Sequence, residues 1–454
     1  MGSIFSFMKK ALMLILSFII IYSCEHEPDP IRLVNLELQN LIQSASPDQS
    51  ASFFIMPEST DLTNLPNQDK KNPVTRAKVE LGKLLFFETG LALEPKYNVS
   101  TDTYSCSSCH IPSKGFTAGR FQGIADGGIG FGLSGEGRRK NKLYSGKEVD
   151  AQGARPLPTI NLTYVTNALW AGSFGSFGVN AGTSSVWKQD SLIEINFKGL
   201  EGLEANNQRA LIVHRQVVDK KVTDKLGYTP LFDEAYPEVP VSARYSRETA
   251  GMAIAAYQRT ILTNRAPFQN WLKGDEEAMS EKQKRGAVLF FGKAGCVNCH
   301  KSPSFNSMEF QAIGTNHLFQ SGFDVFRTDG ADRRNLGRGG FTYEENDMFK
   351  FKVPQLYNLK DVGFYFHGAS KRTLREVVEY FNKGVPENPG VPESQISPRF
   401  RPLQLTGQEL SDLTEFLENA LFDPNLERYM PAGILSGNCF PDNDQVSKVD
   451  LNCN

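Results

Sequence analysis

Two short stretches of the sequence decide the fold: Cys106-Ser-Ser-Cys109-His110 and Cys296-Val-Asn-Cys299-His300. Each is a CxxCH motif, and in a helical turn residues i, i+3 and i+4 share one face. Two thiols on that face can add to the vinyl groups of a haem, while the imidazole beside the second thiol reaches the iron. Two such motifs in one chain are not a chance occurrence. The sequence therefore predicts two covalently attached c-type haems, with His110 and His300 as iron ligands.

A four-cysteine zinc site built from both CxxC pairs is the competing interpretation. It uses the four thiols but leaves the two adjacent histidines as coincidences. It also does not require the protein to leave the cytoplasm. The haem interpretation accounts for all six residues, and we adopt it.

The residues in front of each motif are also repeated. Glu80–Phe87 precedes the first motif and Lys284–Phe291 precedes the second, and each reads as a helix that ends in Leu-Phe-Phe and leads into a loop. Helical periodicity continues along the chain, whereas strand signals are sparse. The helical stretches are Arg247–Thr263, Glu281–Phe291, Leu374–Asn382 and Gly407–Leu421. We expect a mainly α fold of two tandem cytochrome c-like domains, each with one CxxCH haem site, plus long ordered loops.

These patterns divide the chain into five parts. We expect a signal peptide at residues 1–23 and a lipid-anchored tether at residues 24–75, which are rich in Pro, Asp and Asn. The two haem domains are expected at residues 76–270 and 271–430. A disulfide-closed loop at residues 431–454 is expected to end the chain.

An export signal occupies the first two dozen residues. Lys9 and Lys10 precede the apolar stretch Ala11–Tyr22, which is too short to cross a bilayer core of about 30 Å as a permanent helix. Ile21-Tyr-Ser-Cys24 resembles a bacterial lipobox, whose cysteine is acylated and becomes the mature N-terminus. An ordinary signal peptide with an unrelated cysteine is the alternative. Under either interpretation the protein is exported, as a periplasmic protein or an outer-membrane lipoprotein, and a lipid on Cys24 would be its only membrane contact.

The cysteine count agrees with export. Seven cysteines leave three pairs once Cys24 is set aside: the two haem pairs and Cys439/Cys453. The last pair closes a polar loop near the C-terminus, and a disulfide there would gain roughly 3 kcal/mol in the chain-entropy model. We expect this disulfide to act as a structural staple.

Charge and glycine pattern exclude two other classes of protein. A formal net charge of −2 with intermingled acidic and basic residues offers no basic patch for a nucleic acid. Gly130-Phe-Gly-Leu-Ser-Gly135 matches the G-x-G-x-x-G pattern of dinucleotide-binding proteins, but no strand signal precedes it and no helix signal follows it. We interpret the glycine-rich stretch at 123–137 as a loop.

The chain resembles the bacterial di-haem cytochrome c peroxidases and their MauG-type relatives from about Asn72 to Leu421. Besides both CxxCH sites, the resemblance rests on a series of shorter motifs in one order. These are Leu81–Phe87, Arg155–Asn161, Leu169–Gly172, Gly202–Ala205, Gln258–Thr263, Phe351–Pro354 and Tyr365–Gly368. The resemblance implies a peroxidatic first domain, an electron-transfer second domain, hydrogen peroxide as substrate and a small cytochrome c or cupredoxin as electron donor. A homodimer is also compatible with it.

The resemblance also implies roles for individual side chains. Glu204 matches the distal group that moves a proton between the two oxygens of peroxide, a task suited to a carboxylate. Glu194 matches a second distal polar residue. Arg155 resembles the partner of a haem propionate, a role that suits guanidinium, and Trp170 resembles the aromatic residue that relays electrons between the haems.

The supply of axial ligands differs between the two predicted haems. In several members of the family that the chain resembles, a loop histidine in the stretch between His110 and His214 caps the first haem, and this chain has no His or Met there. The resemblance therefore implies a five-coordinate first haem that is open to peroxide. At the second haem the peroxidases place a Met, and the MauG-type proteins a Tyr, where this chain has Phe381. Tyr380 lies one residue, about 100° of helix, away, and Met348 and Met308 are alternatives. The sixth ligand therefore stays open.

The other histidines and the calcium site of the family receive weaker predictions. By its family position near the second haem, His367 is expected to be a hydrogen-bonded structural residue, and His214 and His317 are left as surface residues. The peroxidases hold a calcium ion partly through an Asn side chain, and that position is Pro156 here. Backbone carbonyls could still bind calcium weakly.

Two other functions stay open alongside a peroxidase. The first is a MauG-type oxidase that uses the same oxidising centre to modify a protein or a small substrate. The second is a two-haem electron carrier that is not an enzyme, which would require both irons to be six-coordinate.

Overall fold

A computed structural model describes residues 30–453 of the chain. The predicted signal peptide and the lipidation residue Cys24 lie outside the described residues. Among those residues, none of the helices combines the length and the apolar character needed to cross a bilayer.

The described chain is mainly helical, with long loops between the helices. Its helices are α1 (Pro30–Ala45), α2 (Arg76–Phe87), α3 (Gly202–Val213), α4 (Lys220–Leu226), α5 (Thr229–Ala235), α6 (Val241–Arg244), α7 (Arg247–Thr260), α8 (Pro267–Leu272), α9 (Glu281–Phe291), α10 (Gly339–Thr342), α11 (Leu374–Lys383), α12 (Gly407–Glu415) and α13 (Gln445–Asp450). A π-helical turn, Phe416–Ala420, continues α12. Strands β1 (Gly128–Ile129) and β2 (Arg139–Lys140) form one antiparallel pair, and β3 (Phe310–Gln311) and β4 (Phe351–Lys352) form another.

Two helix crossings of the same design organise the fold. Helix α2 packs on α7, and α9 packs on α12. A Cβ atom on Gly82 would lie 1.9 Å from the carbonyl oxygen of Ala253, and one on Gly286 would lie 2.0 Å from that of Asp412. Only glycine, which has no Cβ, allows backbones to approach this closely. The repeat read from the sequence therefore corresponds to a repeated helix contact.

Aromatic side chains fill the same place beside each crossing. Phe86 follows Gly82 by one helical turn, and Phe290 follows Gly286 by the same interval. Phe86 contacts Tyr257 with ring centroids 5.5 Å apart, and Phe290 contacts Phe416 at 5.5 Å. All four rings are buried. Each crossing thus has its own apolar core, as the predicted helices with Leu-Phe-Phe ends require.

Several sequence predictions of secondary structure are confirmed. Helix α9 has the predicted bounds, α7 and α11 end within three residues of theirs, and the stretch 407–421 forms α12 and its π-helical continuation. The glycine-rich stretch contains only the short strand β1, which pairs with β2 in the register Gly128↔Lys140. No helix follows it before residue 162, so the dinucleotide-binding interpretation stays excluded.

The structure differs from the expected tether at residues 24–75. From Pro30 onwards this segment is part of the fold, because α1 is amphipathic and packs on α9. Leu38 and Ile42 are completely buried in the core that contains α9. The Asn35 amide donates a hydrogen bond of 2.8 Å to Glu276. The polar composition of the segment concealed one apolar helical face.

Replacing Gly286 by Ala is expected to destabilise the protein by about 1–3 kcal/mol, because the new methyl group would force α9 and α12 apart. Chemical denaturation of the holoprotein measures this change. Gly407→Ala is the matched control, because nothing lies within 4 Å of a Cβ atom at the start of the same helix α12. Equal unfolding free energies for the two variants would contradict the close-packed crossing.

Candidate haem-binding sites

Each CxxCH motif forms one tight turn instead of opening a long helix. Cys106–Ser108 and Cys296–Asn298 are single 3₁₀ turns, and the backbone N–H of the following histidine donates to the first cysteine of its motif in both. The four cysteines are not joined in disulfides. The turn brings both thiols and the imidazole of each motif to one place, as thioether attachment requires.

Both CxxCH histidines are oriented in the same way. The Nδ1 atom of His110 lies 3.0 Å from the carbonyl oxygen of Phe116, and that of His300 lies 2.5 Å from the carbonyl oxygen of Phe305. An Nδ1–H that donates to a carbonyl leaves Nε2 free to bind a metal. Burial lowers the pKa of each imidazole to about 4. Both histidines are therefore neutral at pH 7, which is the form that ligates iron.

Two arginines beside the first motif lack acidic partners. The Arg155 guanidinium is buried and donates to the carbonyl oxygens of Arg120 at 2.6 Å and Ala118 at 3.0 Å. The Nη1 atom of Arg120 is buried without a hydrogen-bond partner. A Cβ atom on Gly123 would lie 2.7 Å from Sγ of Cys109, so the segment that contains Arg120 lies against a thiol of the first haem site. Two unpaired cations fit the carboxylates of a haem, whose propionates they would neutralise.

Trp170 connects the first half of the chain to the second. Its Nε1–H donates to the carbonyl oxygen of Arg155 at 2.8 Å, and the backbone N–H of Arg155 donates to His367 at 2.8 Å. The Trp170 ring lies 6.2 Å from the His367 ring and 6.3 Å from the Phe351 ring. The predicted relay residue therefore contacts residues on both sides of the predicted boundary at residue 270, and its role in electron transfer stays a prediction.

Glu204 is enclosed more tightly than a free distal carboxylate would be. It is completely buried in the first turn of α3, and Arg259 on α7 donates to both of its oxygens, at 2.6 and 3.0 Å. The Asn72 amide donates a third hydrogen bond of 3.0 Å. Arg259 lies in one of the family motifs, yet the sequence did not assign it this partnership. Glu194, the second predicted distal residue, is exposed.

The candidate sixth ligands of the second haem have other partners. The Tyr380 hydroxyl donates to the carbonyl oxygen of Ile313 at 2.5 Å, and burial raises the pKa of this phenol. The Met348 sulfur packs against Gly339, 2.6 Å from where a Cβ atom would stand. The ligand at this position stays open.

The remaining described histidines are not free surface residues. The Nδ1 atom of His317 lies 2.9 Å from Nε2 of His367, and both residues are buried. His214 pairs with Asp150 at 2.7 Å. His367 is hydrogen-bonded, as expected. His214 and His317 were expected to be surface residues but have side-chain partners, which the sequence did not reveal because those partners are distant in the chain.

The C-terminal cysteines and the calcium position complete the predicted sites. Cys439 and Cys453 form a disulfide with Cα atoms 5.8 Å apart. The Pro156 carbonyl oxygen accepts a hydrogen bond of 2.7 Å from Thr117. Residues 30–453 contain no group of three or more His, Cys, Asp or Glu side chains arranged to hold a metal ion. Carbonyl-based calcium binding stays an untested prediction.

Two CxxCH turns with pre-oriented imidazoles define a c-type cytochrome that carries two covalently bound haems. A family model described as di-haem cytochrome c peroxidase matches residues 76–277. The methylamine utilization protein MauG of Methylorubrum extorquens is 31% identical over 358 residues, which cover 78% of this chain and 81% of that protein. The chain belongs to the di-haem cytochrome c peroxidase and MauG family.

Other relatives agree with this membership. The cytochrome-c peroxidase IdrP1 of Denitromonas iodatirespirans is 30% identical over 366 residues, which cover 76% of this chain and 82% of that protein. A solved structure of a MauG-like protein associated with microbial copper homeostasis superposes with a TM-score of 0.55. It is 23% identical and covers 81% of this chain and 96% of its own. This likeness shows that the fold is shared.

Replacing His214 by Gln is expected to lower stability most at acidic pH. Burial lowers the pKa of His214, but the charge and hydrogen bond of Asp150 outweigh it, so the net pKa is raised. A raised pKa contributes stability that is complete below the unfolded-state pKa of about 6.5 and is lost as pH rises through the folded value. The loss should reach up to about 1 kcal/mol at pH 5.5 and shrink by pH 8.

Denaturation of the holoprotein across this pH range measures the effect. Asp150→Asn should abolish the same pH dependence, because it removes the partner and leaves the imidazole in place. Curves for wild type and His214→Gln that stay parallel from pH 5.5 to 8 would contradict the ion pair.

Proposed function

We propose that the protein is an exported di-haem cytochrome c peroxidase. It would reduce hydrogen peroxide to two waters, using two protons and two electrons from a small exported cytochrome c or cupredoxin. When bound, the two haems supply the iron chemistry that cleaves peroxide and transfers the electrons. The observation that carries this proposal is the absence of any His or Met between His110 and His214. The other three described histidines are hydrogen-bonded to other side chains, which further favours a first haem open to peroxide.

We further propose that the two haem sites lie in tandem domains at residues 76–270 and 271–430. The paired crossings of α2 with α7 and of α9 with α12 support this division. So does the recurrence of the histidine-to-phenylalanine carbonyl hydrogen bond. In each half, one crossing and one oriented imidazole would form a cytochrome c-like unit.

Trp170 and Arg155 are the proposed link between these units. The hydrogen bonds from Trp170 to Arg155 and from Arg155 to His367 form a continuous path of packed groups across residue 270. The Arg155 carbonyl accepts a hydrogen bond from the indole N–H but is too weak a base to take up the proton. Trp170 would therefore keep its N–H while electrons pass. Arg155 and Arg120 would hold haem propionates in the same region and keep their charge neutralised.

Glu204 is the proposed group that moves a proton between the peroxide oxygens. Its carboxylate is fixed by Arg259 and Asn72, so its oxygens have defined positions before peroxide arrives. The Oε2 atom of Glu204 accepts only one hydrogen bond, from Arg259, so it keeps a lone pair that can accept a proton. Arg259, which donates to both oxygens of Glu204, would hold the carboxylate in place during this proton transfer.

A lipid on Cys24 would hold the exported protein at a membrane, according to the lipobox-like sequence before it. Helix α1 begins at Pro30, six residues after Cys24 in the sequence, and packs on α9 of the proposed electron-transfer domain. The anchor would therefore hold that domain close to the lipid surface. The C-terminal disulfide suits the same oxidising compartment.

A MauG-type oxidase is the second candidate, favoured by the 31% identity to MauG of Methylorubrum extorquens. The sixth ligand of the second haem separates the two. Tyrosine ligation would favour the oxidase, whereas a methionine-to-ferric-iron charge-transfer band in the near infrared would favour the peroxidase.

Electron paramagnetic resonance of the oxidised holoprotein tests the open first site. We expect one high-spin ferric signal from the first haem and a separate signal from the second haem, because no His or Met lies between His110 and His214. The control is His110→Ala, which should remove the high-spin signal. Two low-spin signals in wild type would instead establish a two-haem electron carrier.

Glu204→Gln is expected to lower peroxide turnover by on the order of 10²–10⁴ with haem content unchanged. It should also cost about 3–5 kcal/mol of stability, because Arg259 would be left buried and charged without its partner. Stopped-flow turnover and denaturation measure the two effects separately.

The double variant Glu204→Gln/Arg259→Met separates catalysis from structure. Removing both charges should recover most of the lost stability but none of the lost turnover. If turnover returns with stability, Glu204 has a structural role only. Turnover of Glu204→Gln within threefold of wild type would also refute the assignment.

A further inference from the structure

The C-terminal loop, residues 439–453, lies directly on the first haem-attachment turn. Asn443 donates from its backbone N–H to Thr103 and from its side-chain amide to Asp102, each at 3.0 Å. Phe440 packs against Phe87 at the end of α2, with ring centroids 5.7 Å apart. Ser105 and Ser108, which bracket the turn, are buried. The loop therefore covers the attachment turn as well as closing the chain.

Asp442 makes the closest contact between the loop and the turn. Its Oδ1 atom accepts a hydrogen bond of 2.5 Å from the hydroxyl of Ser108, which lies between the two haem cysteines. The same Ser108 oxygen accepts from the backbone N–H of Ser105 at 3.0 Å. Asp442 thus fixes a hydroxyl that itself closes the turn.

The same Oδ1 atom of Asp442 also pairs with a buried cation. Arg138 pairs with Asp442 at 2.7 Å, and the two side chains are 1% and 0% exposed. Arg138 also donates to the carbonyl oxygens of Ile124 and Ala125, at 2.5 and 3.0 Å. Through the carbonyls of Ile124 and Ala125, the glycine-rich stretch thus holds Arg138, the residue just after it, which pairs with Asp442.

The rest of the loop is tied to the same glycine-rich stretch. Asp450 accepts from the backbone N–H groups of Phe131 and Gly132, both at 2.8 Å, and Asp444 accepts from Gly130 at 3.1 Å. The Cys439–Cys453 disulfide joins the two ends of the loop. Asp442 is therefore set in a frame that is anchored independently of Ser108.

We propose that Asp442 is a positioning residue of the first haem site: held by Arg138 in the disulfide-closed loop, it fixes through Ser108 the turn that carries Cys106 and Cys109. This role rests on the proposed haem at His110. Asp442 would thereby orient the two thiols of Cys106 and Cys109 for thioether attachment. Because His110 directly follows Cys109, it would also influence the orientation of the imidazole.

The second haem site has no equivalent and serves as an internal control. The residue that corresponds to Ser108 is Asn298, and the side chain that reaches this turn is Arg399. Arg399 is half exposed, donates to the Asn298 carbonyl oxygen and pairs with Glu309 on the surface. A change that acts through Asp442 should therefore alter one haem only.

The test compares electron paramagnetic resonance spectra and reduction potentials of both haems in holoprotein variants. Asp442→Ala and Ser108→Ala should each shift the signal and potential of the first haem, leave the second haem unchanged and retain two haems per chain. The double variant should shift them no further than Ser108→Ala alone, because Ser108→Ala already removes the contact with Asp442 together with the hydrogen bond from Ser105. Asp442→Asn, which keeps an acceptor oxygen for Ser108, should restore the wild-type spectrum.

Asp450→Ala is the matched control, because it frees the same loop from Phe131 and Gly132 without touching Ser108. It should leave both haem spectra unchanged. Ser108→Ala decides the matter should Asp442→Ala not fold, since it leaves the Asp442–Arg138 pair intact.

Three outcomes would overturn the role of Asp442. These are unchanged spectra in Ser108→Ala, equal shifts at both haems, or an Asp442→Asn spectrum that resembles Asp442→Ala. A wild-type protein that carries no haem on Cys106 and Cys109 would overturn the proposed function itself. Haem content of the wild type, measured first, distinguishes this last outcome from the other three.

Discussion

In both halves of the chain, the packing of the helices serves one interaction, the hydrogen bond from the CxxCH imidazole to a phenylalanine carbonyl. It presents Nε2 to the metal only while the Phe116 and Phe305 carbonyls are held still, and both residues adopt a left-handed backbone conformation, φ 56°. Their rings pack against Phe86 and Phe290, which stand beside the two glycine crossings. Helix packing thus fixes a backbone turn, and the turn fixes the histidine. The same sequence of constraints occurs twice in the chain.

The buried charged residues fall into two sets that differ in whether they have a partner within the protein. Glu204 and Arg259 neutralise each other, so their environment is complete without a ligand. Arg155 and Arg120 are desolvated, and burial lowers the pKa of Arg155 to about 9 and of Arg120 to about 10. A buried cation without an anion is costly, and a haem carboxylate would remove that cost. The first pair is therefore complete within the protein, whereas the second pair is suited to receive a cofactor.

Local chemistry was predictable from the sequence, and distant partners were not. The CxxCH turns, the bounds of α9 and the loop character of the glycine-rich stretch all follow from residues close in the chain. The partner of Glu204 lies 55 residues away and that of His317 lies 50 residues away, so no periodicity reveals them. The packing of α1 on α9 was not predicted for another reason, because the polar composition of residues 24–75 favoured a tether. Asp442 lies in a loop that the sequence analysis interpreted only as a disulfide staple, so no role was predicted for this residue.

The two haem-attachment turns differ in how they meet solvent, and this difference agrees with the division of labour in the proposed function. The turn at Cys106 is closed by a buried ion pair, which is expensive to form and more expensive to break, so its geometry is rigid. The Cys299 sulfur is instead approached at 3.8 Å by the half-exposed Arg399, whose surface ion pair is weak and easily exchanged. Chemistry on peroxide benefits from a fixed, enclosed site, whereas electron entry from a soluble donor needs a haem edge near a surface that can adapt. The chain places the enclosed turn first and the accessible turn second, which agrees with the proposed order of a peroxidatic domain followed by an electron-transfer domain.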